Sequence, residues 1–418
     1  MQVSHMAETL IGSEIIKLAG EVNQKIKAGE TIFNFTIGDF DPAVFPIPDE
    51  LNQAIRDAYL EGHTNYPAAN GLTETRQAVS AFLAKRQSVQ YSADEILISG
   101  GARPLIYAIY QTLLDPGDSV IFPVPSWNNN HYCHLSGANP IAIEVTAADN
   151  FMPTAAQIAP HIQQATLLAL CSPLNPTGTI FSEAALREIC ALILAENKRR
   201  GPNQKPVYLM YDQIYWTLTY KDARHVDPVS LFPEMRAYTI YVDGLSKAFA
   251  ATGVRVGWSF GPAAVIDKMK SILSHIGSWA PKAEQLAVAR YLVQEAAVER
   301  YLTHFREALY FRLHGFYLGF QALAAAGHPV QCIDPQAAIY LTVQFDLAGK
   351  KTADGQVLQN TRDVTAYILN EAGMALVPFY AFGAPESSNW YRLSVGTCKR
   401  EEVQLALHKL EKALNRLH

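Results

Sequence analysis

Cysteine is scarce in this sequence, and long hydrophobic runs are missing from it. Five of the 418 residues are cysteines, an odd number, and no two form a CxxC pair. This usage indicates reduced thiols rather than a disulfide framework. No stretch stays apolar for the length of a bilayer, and the opening MQVSHMAETLIGSEIIKLAG lacks the basic start and apolar run of a signal peptide. The sequence therefore predicts a soluble, cytoplasmic protein with no membrane partner.

The chain also has no excess of positive charge and lacks several ligand-binding motifs. Lys and Arg number 34 against 39 Asp and Glu, so no basic surface for nucleic acid is expected. Neither GxGxxG nor GxxxxGK[ST] occurs, which argues against a nucleotide bound at a strand-to-helix turn. The 12 histidines form no HExxH motif and no pair with cysteines at ligand spacing. We expect neither a metal nor a nucleic acid.

Short β-branched runs alternate with longer helical runs through much of the chain. A chain of 418 residues favours about two domains, and 49% hydrophobic residues suffice for a large core. Runs such as EILISGG, TLLALCSP and VYLMYD predict buried parallel strands joined by helical crossovers. We predict an α/β fold with a doubly wound, mostly parallel sheet in residues 46–285. Residues 1–45 and 286–418 are expected to form a smaller α+β domain, reached through a helical region, 284–327, too long for one straight helix.

One lysine, Lys247, lies in a run of small and apolar residues, GLSKAFAATGVRVGW. Burial disfavours the charged amine and lowers its pKa, which makes it a nucleophile suited to Schiff-base chemistry. The alternative is a lysine whose stem packs on a helix while its amine reaches water. The run alone is compatible with both.

Other polar residues follow predicted strands, where ligands of open α/β sheets bind. The SGGAR segment places the amides of residues 101–103 at a helix N-terminus, which can hold a phosphate, although a plain tight turn has the same composition. Asn175 in SPLNPTG and Asp212 in YDQIYW also follow strands. Trp127 suits a planar ligand or a core position.

In combination and order, these motifs resemble the class I and II aminotransferases, the pyridoxal-phosphate enzymes of fold type I. The resemblance extends from FTIGDFDP to YRLSVG, and GLSKAFAATGVRVG matches the family's lysine signature. It implies a transaminase that moves an amino group between an amino acid and a 2-oxo acid, with the cofactor held by Lys247 as an internal aldimine. A lyase or synthase of the same fold and a non-catalytic regulator that binds the cofactor are the alternatives.

The resemblance also implies roles for further residues. Asp212 would face the pyridine nitrogen, and Tyr215 with Asn175 would bond the phenolic oxygen. Trp127 would stack on the cofactor ring. The donors implied for the phosphate are Gly101, Ala102, Arg103, Ser246 and Arg255. Tyr66 would reach the phosphate of the neighbouring subunit, which implies a homodimer with shared sites.

The substrate α-carboxylate would bind Arg392, next to Asn175 and the backbone of Gly38. The sequence assigns no second arginine to a distal carboxylate. Three departures from the family pattern stand out. Gly244 replaces a phosphate-binding serine of many members, GDFDP replaces Gly-Glu-Pro-Asp-Phe, and Phe379 replaces the glycine after a proline. The last two bear on pocket shape and so on substrate.

Overall fold

A computed structural model describes residues 3–10, 12, 14–87 and 89–418. The α-helices of this part are α1 (His5–Thr9), α2 (Glu14–Lys27), α3 (Asp49–Leu60), α4 (Thr73–Gln87), α5 (Ala102–Leu113), α6 (Asn129–Ser136), α7 (Ala155–Ile158), α8 (Glu183–Arg200), α9 (Pro228–Leu231), α10 (Leu245–Ala248), α11 (Ala263–Ile276), α12 (Lys282–Leu292), α13 (Glu295–Ala325), α14 (Thr361–Glu371) and α15 (Glu402–Leu414). Its strands are β1 (Phe33–Asn34), β2 (Ile96–Ser99), β3 (Ser119–Val124), β4 (Asn139–Glu144), β5 (Ala165–Cys171), β6 (Tyr208–Asp212), β7 (Thr239–Gly244), β8 (Gly257–Phe260), β9 (Val330–Cys332), β10 (Tyr340–Phe345), β11 (Met374–Ala375), β12 (Val377–Pro378) and β13 (Trp390–Ser394).

The large sheet has seven strands in the order β2-β8-β7-β6-β5-β3-β4. Neighbours pair in parallel, except that β8 runs antiparallel to both β2 and β7. Helices α5 and α11 cover one face, and α4, α8 and α12 cover the other. The predicted doubly wound, mostly parallel sheet is therefore confirmed. Strands β4 and β8 were not predicted from the sequence.

The sequence of β5, ATLLALC, illustrates why these strands read as continuous apolar runs. Leu168 and Leu170 pack into the cluster on one face of the sheet, and Leu167 and Ala169 pack into the cluster on the other. Each buried leucine contributes roughly 1.5 to 3 kcal/mol relative to an exposed one. A strand covered on both faces therefore shows no alternation of polar and apolar residues.

A second layer is built from a four-stranded antiparallel sheet, β12-β13-β10-β9, and a parallel pair, β1-β11. The long helix α13 and the C-terminal α15 pack against this layer around its own apolar cluster. The helical region 284–327 contains more than one helix, as predicted, because α12 ends at Leu292 and α13 begins at Glu295. Strands β10 and β13 of this layer carry side chains to the edge of the large sheet.

Two further properties concern the part of the chain that the structure describes. No helix there is both long and apolar enough to cross a membrane. Within the same residues, no three histidine, cysteine or acidic side chains are grouped in a way that could hold a metal ion.

Candidate active site

A cavity of about 640 Å³ opens where the parallel strands of the large sheet end. The predicted site residues that line it are Gly38, Ala102, Arg103, Trp127, Asn175, Asp212, Tyr215, Ser246, Lys247, Arg255 and Arg392. Gly101 lies directly behind this lining, next to the first residue of α5. The chain thus brings together strand ends of the large sheet and side chains of the second layer.

Lys247 lies on the short helix α10, which begins directly after β7. Its Nζ donates to the carbonyl oxygen of Gly38 at 2.5 Å and lies 5.7 Å from the ring centre of Phe40. Burial lowers the pKa of Lys247 to about 8, against the opposing effect of the Asp39 carboxylate. Nearby arginines add to the downward shift. Lys247 lines the cavity, and with this pKa about a tenth of its amine is uncharged at pH 7.

Asp212 ends strand β6 at the floor of the cavity. Its Oδ1 accepts a hydrogen bond from the amide of Ile214 at 3.1 Å, and Oδ2 has no donor among the described residues. Burial raises the pKa of Asp212 to about 6, while the Ile214 amide and the charge of Lys247 oppose that shift. A cationic N–H placed at Oδ2 would stabilise the ionised carboxylate.

Arg392 lies on β13 and is only 2% exposed. Its Nη1 donates to Oδ1 of Asn175 at 2.9 Å, and its Nη2 donates to the carbonyl oxygen of Thr36 at 2.6 Å. Nε has no partner, and within the described residues no carboxylate pairs with the guanidinium. Burial lowers the pKa of Arg392. This guanidinium is held by neutral acceptors alone and lines the cavity, so an anion that enters the cavity could pair with it.

The start of α5 forms a cationic corner of the cavity. Gly101 has a φ of +100°, and a side chain there would collide with the Arg255 guanidinium. Arg255 donates from Nη1 to the carbonyl of Thr252 at 2.7 Å and from Nη2 to that of Gly100 at 2.8 Å. The side chain of Ser246 lines the same cavity. An anion at this corner would meet the first amides of a 12-residue helix and a fixed positive charge.

Close packing between strands explains why a glycine occupies position 244. A Cβ at Gly244 would lie 2.8 Å from the Cα of Gly257, which is its partner across β7 and β8. A Cβ at Gly257 would in turn lie 2.6 Å from the carbonyl carbon of Gly101. Three glycines therefore allow β7, β8 and the start of α5 to approach one another closely. A serine at position 244 would require these two strands to separate.

Tyr215 makes a contact that sequence reasoning missed. Its hydroxyl lies 2.6 Å from the hydroxyl of Tyr340, and both side chains are buried. Burial raises the pKa of both phenols, so both are protonated at neutral pH. Tyr340 lies on β10 and lines the cavity. The sequence AAIYLTVQF offered no signal to distinguish it from an ordinary core tyrosine.

Phe379, where the resemblance expects a glycine, packs into the wall behind Arg392. The Phe379 ring is fully buried, with its centre 5.4 Å from that of Phe151 and 6.5 Å from that of Phe382. The Phe382 ring centre lies 4.9 Å from the Arg392 guanidinium. The substitution therefore supports an aromatic surface that confines the arginine.

Tyr66 is the one predicted site residue that lies away from this group. Its side chain is 80% exposed and contacts the edge of Trp279, with ring centres 5.1 Å apart. It does not line the cavity of its own chain.

Comparisons with known proteins identify the family to which the chain belongs. The family model for aminotransferase class I and II matches residues 30–410. The chain is 30% identical to an aspartate aminotransferase of Geobacillus stearothermophilus, over 100% of this chain and 98% of the relative. It is also 30% identical to a probable aspartate/prephenate aminotransferase of Rickettsia felis, over 93% and 90% of the two chains.

Among solved structures, an aspartate aminotransferase from Rhizobium meliloti superposes with a TM-score of 0.90 at 28% identity, covering all of both chains. These relatives favour amino transfer over the lyase and regulator alternatives. The chain therefore belongs to the class I and II aminotransferases and is a pyridoxal-phosphate enzyme that transfers an amino group between an amino acid and a 2-oxo acid.

Proposed function

We propose that the cavity around Lys247 is the active site of this transferase and the place where pyridoxal phosphate binds. The observation that carries the proposal is the convergence of an amine of lowered pKa, a carboxylate with an unbonded oxygen and a buried arginine without a counter-ion. The bound cofactor supplies a carbon that bonds amines and a ring that draws electrons from the substrate α-carbon. The remaining chemistry belongs to the residues of the chain.

The corner at the start of α5 suits the phosphate end of the cofactor. The amides of Ala102 and Arg103, the hydroxyl of Ser246 and the guanidinium of Arg255 are the donors available there. A planar guanidinium can pair with two phosphate oxygens at once. Trp127 supplies a flat apolar wall on which the ring can lie.

Asp212 is the group that would keep the pyridine nitrogen protonated. Its Oδ2, which has no donor among the described residues, would accept that N–H, and the resulting ion pair would lower the raised pKa of Asp212. Tyr215 and Asn175 would donate to the phenolic oxygen and so favour its ionised form. Together these residues would hold the ring in one orientation.

Lys247 would accept and return the proton of the substrate α-carbon. An amine with a pKa of about 8 can do both near neutral pH. The hydrogen bond to the Gly38 carbonyl directs Nζ toward the residues that hold the substrate. Arg392 would grip the α-carboxylate by two parallel hydrogen bonds, next to Asn175.

We further propose a cytoplasmic homodimer with shared sites. The exposed Tyr66 is available to a neighbouring chain, as the family resemblance implies. The five cysteines are all free thiols, as expected of a reducing compartment. Residues 46–285 would form the larger domain, and residues 1–45 and 286–418 the smaller one.

A dicarboxylic amino acid such as aspartate is the substrate that the cavity and the relatives support best. The Arg103 side chain lines the cavity and stacks on Trp127, with its guanidinium 5.2 Å from a ring centre. Among the described residues it has no hydrogen bond or ion pair partner. It can therefore serve a distal carboxylate, with the phosphate left to Arg255. The relatives from Geobacillus stearothermophilus and Rickettsia felis both carry aspartate in their names.

A donor panel on two variants tests the substrate and the role of Arg103. Aspartate, alanine and phenylalanine are offered with 2-oxoglutarate, and the keto acid products are identified. Arg103→Gln should lower kcat/KM for aspartate by about tenfold or more, without changing that for alanine or the affinity for cofactor. Arg400→Gln is the matched control, because Arg400 also stacks on an aromatic ring, that of Phe311, outside the cavity.

An equal loss of kcat/KM for all three amino donors, together with weaker cofactor binding, would instead indicate that the Arg103 side chain binds the phosphate of the cofactor. Release of ammonia in place of keto acid transfer would instead favour the lyase chemistry.

A further inference from the structure

Tyr340 lies where the cofactor side of the cavity meets the substrate side. Its strand, β10, pairs with β13, which carries Arg392. The Tyr340 hydroxyl is 2.6 Å from that of Tyr215, and the Arg392 guanidinium is 4.6 Å from the centre of the Tyr340 ring. One side chain therefore touches both the proposed partner of the phenolic oxygen and the proposed carboxylate receptor.

The position of Tyr340 is fixed by tight backbone packing. Gly178 has a φ of +70°, and a side chain there would collide with the carbonyl oxygen of Tyr340. On the same strand, the hydroxyl of Thr342 donates to the carbonyl of Thr177 at 2.8 Å. Strand β10 is thus held against the turn that contains Asn175. The backbone of Tyr340 therefore cannot move away from this turn without breaking these contacts.

Each phenol has one proton, which decides how the pair works. If Tyr215 donates to the phenolic oxygen of the cofactor, its proton is used there, and the short contact between the tyrosines must then be a donation from Tyr340. We propose that Tyr340 is a positioning residue that donates to Tyr215 and thereby orients and strengthens the hydrogen bond from Tyr215 to the cofactor. The proposal rests on the role of Tyr215 in the proposed function.

The charges around the pair favour this direction. The Arg392 guanidinium lies over the ring of Tyr340, and a cation there makes the hydroxyl more acidic and a better donor. Burial raises the pKa of Tyr340, and Arg392 is the largest effect that opposes burial there. Burial also raises the pKa of Tyr215, where the neighbouring phenol adds to the rise and Arg392 opposes it only as the smallest of the named effects. Tyr340 is the more acidic of the two, and chains of hydrogen bonds reinforce one another.

Four other titratable groups face the pair. They are Cys171 at the end of β5, Arg392 on β13, Lys247 on α10 and Asp39 in the loop after β1. Burial keeps the Cys171 thiol protonated at neutral pH, and Arg392 remains a cation. Lys247 is engaged by the cofactor in the loaded enzyme. Asp39 is common to all the variants below, so differences between them report the phenols.

The test is a pH titration of the absorbance of bound cofactor, because a donor to the phenolic oxygen lowers the pH at which the colour changes. Tyr215→Phe should raise this midpoint by about one pH unit, since it removes the direct hydrogen bond. Tyr340→Phe should raise it by roughly 0.2 to 0.5 unit, because it only weakens that bond. The double variant should match Tyr215→Phe alone, because Tyr340 acts through Tyr215.

Tyr220→Phe is the matched control. Tyr220 is another buried tyrosine of the same apolar cluster, its hydroxyl donates to the carbonyl of Ala338, and it does not line the cavity. It should leave the midpoint unchanged, even if the thermal midpoint falls. The inference about Tyr340 would be overturned by an unchanged midpoint in Tyr340→Phe, or by a Tyr340→Phe shift of equal size with and without Tyr215. Neither result would affect the role assigned to Tyr215. An unchanged midpoint in Tyr215→Phe would instead overturn the role assigned to Tyr215, and the inference with it.

Discussion

Two carboxylates lie at the ends of neighbouring strands of the large sheet, and of the two only Asp212 lines the cavity. Asp212 ends β6 with one oxygen free of protein donors, and burial raises its pKa to about 6. Asp243, near the end of β7, is 1% exposed, and burial raises its pKa to about 7. Asp243 accepts hydrogen bonds from the indole of Trp216 at 2.8 Å and the amide of Gly244 at 2.7 Å. A shifted pKa therefore does not separate the two groups, whereas an unfilled hydrogen bond toward the cavity does.

Two buried arginines repeat this contrast. Arg312 is 6% exposed, and its Nε and Nη1 donate to the carbonyls of Cys398 and Ala308, both at 2.6 Å. Arg392 is 2% exposed, and its Nε has no hydrogen-bond acceptor within the described part of the chain. Arg312 joins α13 to the segment before α15, whereas Arg392 has donors available to an anion in the cavity. Substitutions at such matched pairs should separate function from stability.

The largest effect is expected at Lys247, compared with a lysine whose amine is paired. Lys247→Ala should lower kcat by roughly 1,000-fold or more, because it removes the group proposed to move the proton. Lys221 donates to Asp334 at 2.8 Å on the surface, so Lys221→Ala should change kcat little and stability by at most about 1 kcal/mol. Steady-state kinetics with the best amino donor measure both. Comparable losses in the two variants would contradict the assignment of Lys247.

The next effect separates the two carboxylates. Asp212→Asn should lower kcat by about 100-fold or more, because it removes the anionic partner proposed for the pyridine nitrogen. It should leave the unfolding midpoint of the apoenzyme nearly unchanged. Asp243→Asn should leave kcat nearly unchanged. It should lower stability by about 1 to 3 kcal/mol, since it leaves buried donors unpaired. Kinetics and thermal unfolding of both variants provide the four values. Equal losses of kcat would remove the distinction between the carboxylates.

A smaller effect is expected for the two arginines. Arg392→Lys keeps the charge but loses the planar guanidinium. It should weaken transition-state binding by about 2 kcal/mol, which is measured as a fall in kcat/KM. Cofactor affinity and the unfolding midpoint should change little. Arg312→Lys should lower the unfolding midpoint and leave kcat/KM near the wild-type value. An Arg392→Lys enzyme with normal kcat/KM and reduced stability would make this arginine structural.

The last prediction concerns how the stability contributed by Asp243 depends on pH. Burial raises the pKa of Asp243 to about 7, so between about pH 4 and that value the folded protein keeps a proton that the unfolded chain has lost. The contribution of Asp243 to stability is therefore present at low pH and declines as the pH rises through this window. Asparagine does not titrate. The stability lost in Asp243→Asn should shrink between about pH 5 and about pH 8, as measured by urea unfolding. A loss that grows with pH would contradict the raised pKa.

Local pattern was enough for the cofactor side of the cavity but not for all of the substrate side. Asp212 and Asn175 follow strands with strong apolar runs, so their position at the sheet edge could be predicted. Strand β8 was missed because its four residues, GWSF, follow a glycine-rich turn without a β pattern. Tyr340 was missed because its partner Tyr215 lies 125 positions away, and only the pairing of β10 with β13 brings it to the cavity. Contacts between residues so far apart in the chain produce no periodic pattern in the sequence.

Identification of the lysine that binds the cofactor tests the central claim most directly. The loaded wild-type enzyme should be yellow, and borohydride reduction should bleach it and fix the cofactor to one lysine. Digestion and mass spectrometry then locate the modified residue. The cavity geometry predicts the modification on Lys247, in the peptide that contains GLSKAFAATGVR. Modification of any other lysine, with Lys247 recovered intact, would contradict the account.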